Sequence, residues 1–231
     1  MPDSDPSRLL AQAGPRRGRP PLERWQPPLS GDIDIRIDRD GRWWHEGRPI
    51  EREALVQLFA GILRREADGG HYLVTPIEKW RITVEDAPLL AGPPERLDGP
   101  AGPRLRFTTS VGDVFDAGPQ YPIEVEYRGD EPRPYLHVHH GLRARLTRAA
   151  FVELAGLAEP ASLGGREVLG VYSDGAFFVL GPAGEGGEGG ESGEGGARAW
   201  LSDAAGRPRR THCSRMVNST RRFFDQASSS C

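Results

Sequence analysis

Alternation of apolar and charged positions is clearest at residues 32–38, DIDIRID, where Ile33, Ile35 and Ile37 interleave with Asp32, Asp34, Arg36 and Asp38. A period of two sends successive side chains to opposite faces of an extended chain, so this stretch predicts a half-buried strand. The RDG that follows predicts a turn and RWWHE a returning strand. Beyond Gly47 the period changes: in RPIEREALVQLFAGILRRE, residues Leu55, Leu58, Phe59, Ile62 and Leu63 fall on one side of a helix. A second run of the same kind opens with PIEVEY, where Ile123, Val125 and Tyr127 alternate. It turns at RGDEPR, returns as PYLHVHH, turns again at Gly141 and ends in RLTRAAFVELAGLAE, whose Phe151, Leu154, Ala155 and Ala158 share a helical face.

The two helical stretches match at a separation of 96 residues. Ile50, Arg52, Ala54, Leu55, Val56, Gln57 and Leu58 align with Leu146, Arg148, Ala150, Phe151, Val152, Glu153 and Leu154, and four of the seven pairs are identical. Upstream, WWHEG lies over YLHVHHG, which puts His45 where His137 stands. Further strands are predicted at HYLVT, EKWRITVED, REVLGVY and AFFVL, the last two joined by the turn signal SDG, and LRFTTSVGDVFDA reads as a hairpin turning at Gly112 and Asp113. The expected fold class is therefore α+β: two small, mainly antiparallel domains built from a repeated strand-strand-helix-strand motif, with two long helices among about ten short strands. The expected division is a disordered N-terminal tail over 1–20, domains over 21–88 and 89–182, and a Gly/Glu-rich linker with a disordered basic tail over 183–231.

Charge sharpens this division. The chain of 231 residues carries a formal net charge of -3, but residues 183–196 hold four Glu, and residues 197–231 hold seven Arg against two Asp. The body over 21–182 is left mildly acidic, which argues against nucleic acid as its partner. The basic tail, with Arg209, Arg210, Arg221, Arg222, Phe223 and Phe224, reads as an unstructured extension; an arm for acidic surfaces or nucleic acid is the sharper alternative. Both cysteines, Cys213 and Cys231, lie in that tail, so the body has no disulfide framework and suits a reducing cytoplasm. No apolar run approaches the ~18–20 residues of a membrane span, and no membrane partner is expected.

Three motifs carry the resemblance of this chain to a known family: LERWQPPLSGDIDIRIDRDGRWWHEGRPI, LVTPIEKWRITVED and RPYLHVHHGL. In that order they resemble the bacterial family known as domain of unknown function 1285, and the likeness runs from about Pro21 to Pro182. What the resemblance implies is a two-domain α+β protein built on repeated motifs, with no assigned reaction and a suggested part in signalling. It brings no catalytic residues to carry over.

Chemistry in the body is sparse. His137 and His139 have a metal-ligand spacing, but no cysteine or spaced carboxylate can be named as a further ligand. The cluster reads better as the end of a hairpin, and the match of His45 to His137 favours a structural role. There is no Gly-x-Ser-x-Gly elbow, and GEGGEG precedes no helix, so neither a serine hydrolase nor a dinucleotide site is indicated. Asp32, Asp34 and Asp38 lack the later acidic residue of a calcium loop and read as a solvated strand face. TPIEKW is the most informative polar motif: Glu78 and Lys79 are neighbours on a strand and so point to opposite faces, one of them inward as an ion pair or as a ligand-orienting group.

These readings converge on a non-enzymatic module that binds a small molecule or a protein partner in a regulatory or signalling setting, without a cofactor. The expected contact region is a cleft between the copies lined by Trp44, His45, Glu78, Lys79, Arg133, Tyr135 and His137. The alternatives are a metal-assisted hydrolase using His137 and His139, and a self-assembling module that pairs its strand edges into a homo-oligomer.

Overall fold

The computed structural model describes residues 20–183. The expectations for the N-terminal tail, the Gly/Glu-rich linker, the basic tail and both cysteines fall on residues outside that range.

The first half opens with the predicted hairpin, β1 (Leu29–Ile37) and β2 (Trp43–His45), followed by a two-residue strand β3 (Arg48–Pro49) and helix α1 (Glu53–Gly61). Next come β4 (Leu63–Arg65), β5 (His71–Val74) and β6 (Lys79–Val84). These strands form one six-stranded sheet in the order β3-β2-β1-β6-β5-β4. Its alternating pattern is the one the sequence predicts: Ile33, Ile35 and Ile37 are buried while Asp32 and Asp34 are exposed. β1 and β6 run parallel, which a hairpin cannot produce; α1, β4 and β5 provide the crossover.

The second half contains β7 (Leu89–Ala91), β8 (Glu95–Gly99), β9 (Gly102–Thr108), β10 (Val114–Asp116), β11 (Ile123–Arg128), β12 (Glu131–His137), β13 (Arg143–Leu146), helix α2 (Arg148–Gly156), β14 (Glu159–Leu163), β15 (Arg166–Ser173) and β16 (Ala176–Pro182). They make three small sheets, β10-β9-β8, β11-β12-β13-β7 and β14-β15-β16.

The α+β expectation is corrected here. Strands take 51% and helical turns 15% of the structure, so the fold is mainly β, and it is not a repeated strand-strand-helix-strand unit. Each α-helix is only nine residues long. The first was expected to continue through Ile62 and Leu63, but it stops at Gly61, the residue type that loses most backbone freedom in a helix, and Leu63 pairs with Leu73 across β4 and β5. The matched helices also feed different sheets. After α1 the chain returns to the sheet of β1, whereas after α2 it builds the separate β14-β15-β16 sheet, and β13 pairs with β7 from earlier in the chain. Apolar periodicity specifies the type of each element but not the sheet edge it joins.

One hydrophobic cluster runs through the body, from Leu22 through Ile37, Phe59 and Leu73 to Phe107, Leu136, Leu154 and Leu180. Trp43 stacks on Phe59 at 6.0 Å, and so ties β2 to α1.

Candidate functional site

The seven residues expected to share a cleft are distributed over several places. Lys79 donates to both carboxylate oxygens of Glu66, at 3.0 and 3.1 Å, and lies over the Tyr72 ring. Glu78 accepts from the Trp80 indole at 3.4 Å. Trp44 lies on the outer sheet face, donates to Asp38 at 2.8 Å and carries Arg36 over its ring at 5.1 Å. His45 ends β2, opposite Ile35 and Arg48.

Arg133 and Tyr135 do come together, on the polar face of β12, around a carboxylate that sequence reading did not single out. Asp86 accepts from the Tyr135 hydroxyl at 2.7 Å and from Arg145 at 3.3 Å, with Arg133 at 3.6 Å, and its side chain is only 3% exposed. Burial, followed by the neighbouring Asp86, raises the Tyr135 pKa. Lys79 begins β6 and Asp86 lies beyond its far end, seven residues on, or about 20 Å at the usual strand rise. The Glu78–Lys79 pair and the Arg133–Tyr135 pair therefore do not share a site.

The histidines at the end of β12 also separate. His137 bonds Glu124 at 2.6 Å on the exposed side of β12. His139 begins the turn after β12, where its ring packs edge-on against Phe115 and stacks with His140. Among the described residues, no group of three or more His, Cys, Asp or Glu side chains could hold a metal ion.

A cavity of about 350 Å³ lies elsewhere, where β9, β10, the loop after β10 and the β15–β16 turn meet; Arg106, Val114, Phe115, Asp116, Tyr121 and Asp174 are among its walls. The ladder register sets its chemistry. Phe107 and Phe115 pair on the buried face, so Arg106 and Asp116, the next pair along, stand opposite each other on the other face. Arg106 grips Asp116 with two parallel bonds, Nε to Oδ1 at 2.7 Å and Nη2 to Oδ2 at 3.1 Å, and Arg104 adds a third at 3.3 Å. The Arg106 bonds, in first place, lower the Asp116 pKa, which holds it as a carboxylate.

Asp174 reaches the cavity from the β15–β16 turn. It sits at φ +49°, a left-handed conformation that Asp tolerates better than most residues, and its backbone N–H donates to Pro103 O at 2.9 Å. The preceding Ser173, fully buried, accepts from Leu105 N at 2.9 Å and donates to Ala117 O at 2.6 Å, clamping this turn onto β9 and the loop after β10. Gly118 is needed opposite: a Cβ there would lie 3.1 Å from the Asp174 Cβ and 3.2 Å from its Oδ2. Tyr121 closes the loop through reciprocal backbone bonds with Gly118 at 3.1 Å, and its ring meets Phe115 edge-on at 5.1 Å.

Two groups in this cavity retain binding capacity. Among the described residues no hydrogen bond uses Nη1 of Arg106, and none reaches the Asp174 carboxylate, whose nearest cation is Arg104 Nε at 3.8 Å. The sequence reads SDG as a turn and LRFTTSVGDVFDA as a hairpin, with no chemistry assigned to either. The available signal was the alternation of Arg104 and Arg106 facing Asp116 across a hairpin; nothing local pointed to Asp174, which arrives from almost 60 residues away.

A family model described as "Domain of unknown function (DUF1285), N-terminal domain" matches residues 20–87, and one described as "Protein of unknown function (DUF1285), C-terminal domain" matches residues 88–180. The chain is similar to a crystal structure of a DUF1285 family protein from Silicibacter pomeroyi DSS-3, with 42% identity and a TM-score of 0.68, over 76% of this chain and 95% of that one. It is also similar to a DUF1285 family protein from Shewanella baltica OS155, with 30% identity and a TM-score of 0.43, over 53% of this chain and 90% of that one. The comparison with curated proteins gave no match.

Proposed function

The chain belongs to the DUF1285 family, described as of unknown function, and from its geometry we propose that it is a non-enzymatic binding module that takes a small polar molecule into the cavity between Arg106, Tyr121 and Asp174. The observation that carries this reading is a pair of oppositely charged residues in the walls of one cavity on a clamped scaffold: among the described residues Arg106 Nη1 makes no hydrogen bond, and the Asp174 carboxylate accepts none and has only its ion pair with Arg104 at 3.8 Å. Ligand sites combine a concave surface with a few fixed polar groups in this way, and about 300 Å³ is the lower end of their usual volume.

Binding fits these walls better than catalysis. Asp116 is committed to two guanidiniums and held ionised, which makes it a poor proton acceptor, and no Ser, Cys, His or Lys stands among the lining residues. The metal-assisted alternative finds no support in the separate settings of His137 and His139. Of the seven residues first expected to line a cleft, six already have partners within the chain, so the cavity is the contact region we favour. A regulatory role in the cytoplasm accords with a body that holds no cysteine.

The test is equilibrium dialysis of the purified protein against a bacterial small-molecule extract, followed by mass spectrometry of what is retained. A compound retained by the wild type and lost from Gly118→Ala, whose new methyl presses on Asp174, supports the reading. Equal retention by both proteins, or none by either, dismisses it.

Association of copies is a second reading, favoured by β14. This strand has one neighbour in its sheet, is largely exposed and presents Leu163 at 56% exposure. A concentration series in the analytical ultracentrifuge that shows only monomer removes it.

A further inference from the structure

Resting on the cavity being the binding site proposed above, we infer that its ligand is a zwitterionic α-amino acid with an apolar side chain. Three charged side chains line this wall, Arg106, Asp116 and Asp174, and with Arg104, ion-paired to both carboxylates, the charges balance. A ligand carrying one charge would leave that charge uncompensated in a partly desolvated site, whereas a molecule bearing both signs preserves the balance.

Arg106 and Asp174 define where the ligand's charges go. The Nη1 of Arg106 offers donors to a carboxylate, because its other edge is already held by Asp116. The Asp174 carboxylate offers acceptors to an ammonium, because its ion pair with Arg104 Nε at 3.8 Å is not a hydrogen bond. An α-amino acid is the smallest common molecule that carries both on one carbon. Beside the charged groups and the Gln120 amide the wall offers apolar surface: the Tyr121 ring set against Phe115, and Val114, a β-branched residue left 52% exposed. These surfaces suit an aliphatic or aromatic side chain.

The test uses the full chain and isothermal titration with L-phenylalanine and L-leucine, compared with phenethylammonium, 3-phenylpropionate and N-acetyl-L-phenylalanine amide. Saturable binding of at least one amino acid is expected, weaker by about tenfold or more for each analogue that lacks a charge. Asp174→Asn keeps the left-handed turn, since Asn adopts that conformation readily. It should weaken amino-acid and phenethylammonium binding by about tenfold while leaving 3-phenylpropionate unaffected. Circular dichroism and the melting temperature of the variant establish that its fold is intact.

A singly charged or uncharged analogue that binds as tightly as the amino acids overturns the zwitterion while leaving the cavity reading in place. Unchanged amino-acid affinity in Asp174→Asn overturns it as well. If no probe binds, the inference falls, and the dialysis experiment decides the cavity reading separately.

Discussion

Asp86 shows how a single buried side chain joins distant parts of the chain. It follows β6 directly, yet it is held by Tyr135 from β12 and Arg145 from β13, and Arg145 also donates to Arg39 O in the β1–β2 turn at 2.7 Å. Tyr135→Phe removes the shortest of these bonds without changing the shape of the ring. We expect a loss of about 1–2 kcal/mol in urea denaturation, because a buried acceptor then loses its neutral donor; an unchanged midpoint would mean that Asp86 is satisfied by arginine alone. His71 supplies a second prediction. Burial first, and then the guanidiniums of Arg65 and Arg143, lower its pKa to about 4 from 6.5. The unfolded chain therefore takes up a proton that the folded chain refuses between pH 6.5 and 4, so stability is complete above that window and falls as the pH drops through it. Discounted for partial solvent exposure, the loss is about 2 kcal/mol. His71→Gln should flatten this slope between pH 7 and 5, and parallel slopes for the two proteins would assign the pH dependence to other groups. His71 had no mark in the sequence. Attention falls naturally on the dense LHVHH run, but the arginines that perturb His71 lie on β4 and, some 70 residues away, on β13.

The two helices allow a controlled comparison, since they share length and sequence pattern but begin differently. Thr147 caps α2, its hydroxyl accepting from Ala150 N at 3.2 Å, whereas α1 starts at Arg52, whose side chain makes no capping bond. Thr147→Ala should cost about 1 kcal/mol, and Arg52→Asp should gain a similar amount by supplying both a cap and a negative charge at the positive end of the helix dipole. Thermal denaturation of both variants checks the pair, and a stabilising Thr147→Ala or a destabilising Arg52→Asp would contradict the capping account. Elements of this kind were readable from sequence wherever one face is buried. The alternation in DIDIRID gave β1, the i, i+3, i+4 pattern gave the starts of α1 and α2, and SDG and VGD marked real turns. The short strands β3, β7 and β14 were not readable: each is five residues or fewer, too short to display a period, and each is defined by the neighbour it pairs with. The candidate site was missed for the same reason, because Asp116 and Asp174 face one cavity only once the β15–β16 turn is clamped by Ser173.

At the scale of the whole molecule the question is whether the halves expected from sequence, 21–88 and 89–182, fold separately. Two features couple them. The hydrophobic cluster is continuous across that boundary, uniting Leu22, Ile82, Leu89, Leu105 and Leu154, and Asp86, at the boundary itself, is bonded to strands of the second half. Shared apolar burial makes the unfolding of one half expose surface belonging to the other, and that cost is what makes an unfolding transition cooperative. We therefore expect one calorimetric transition, with calorimetric and van't Hoff enthalpies in agreement. A sharper form uses one cavity in each half. Leu73→Ala and Leu154→Ala remove fully buried side chains, at about 2–5 kcal/mol each. In a single cooperative unit both variants lower the same transition and leave its shape unchanged. If the halves are independent, Leu154→Ala instead splits the curve, with an early step for the second half and an unmoved step for the first. That outcome would also change the reading of the cavity, whose walls belong entirely to the second half and would then melt ahead of the rest, so that a bound ligand would stabilise the early step alone.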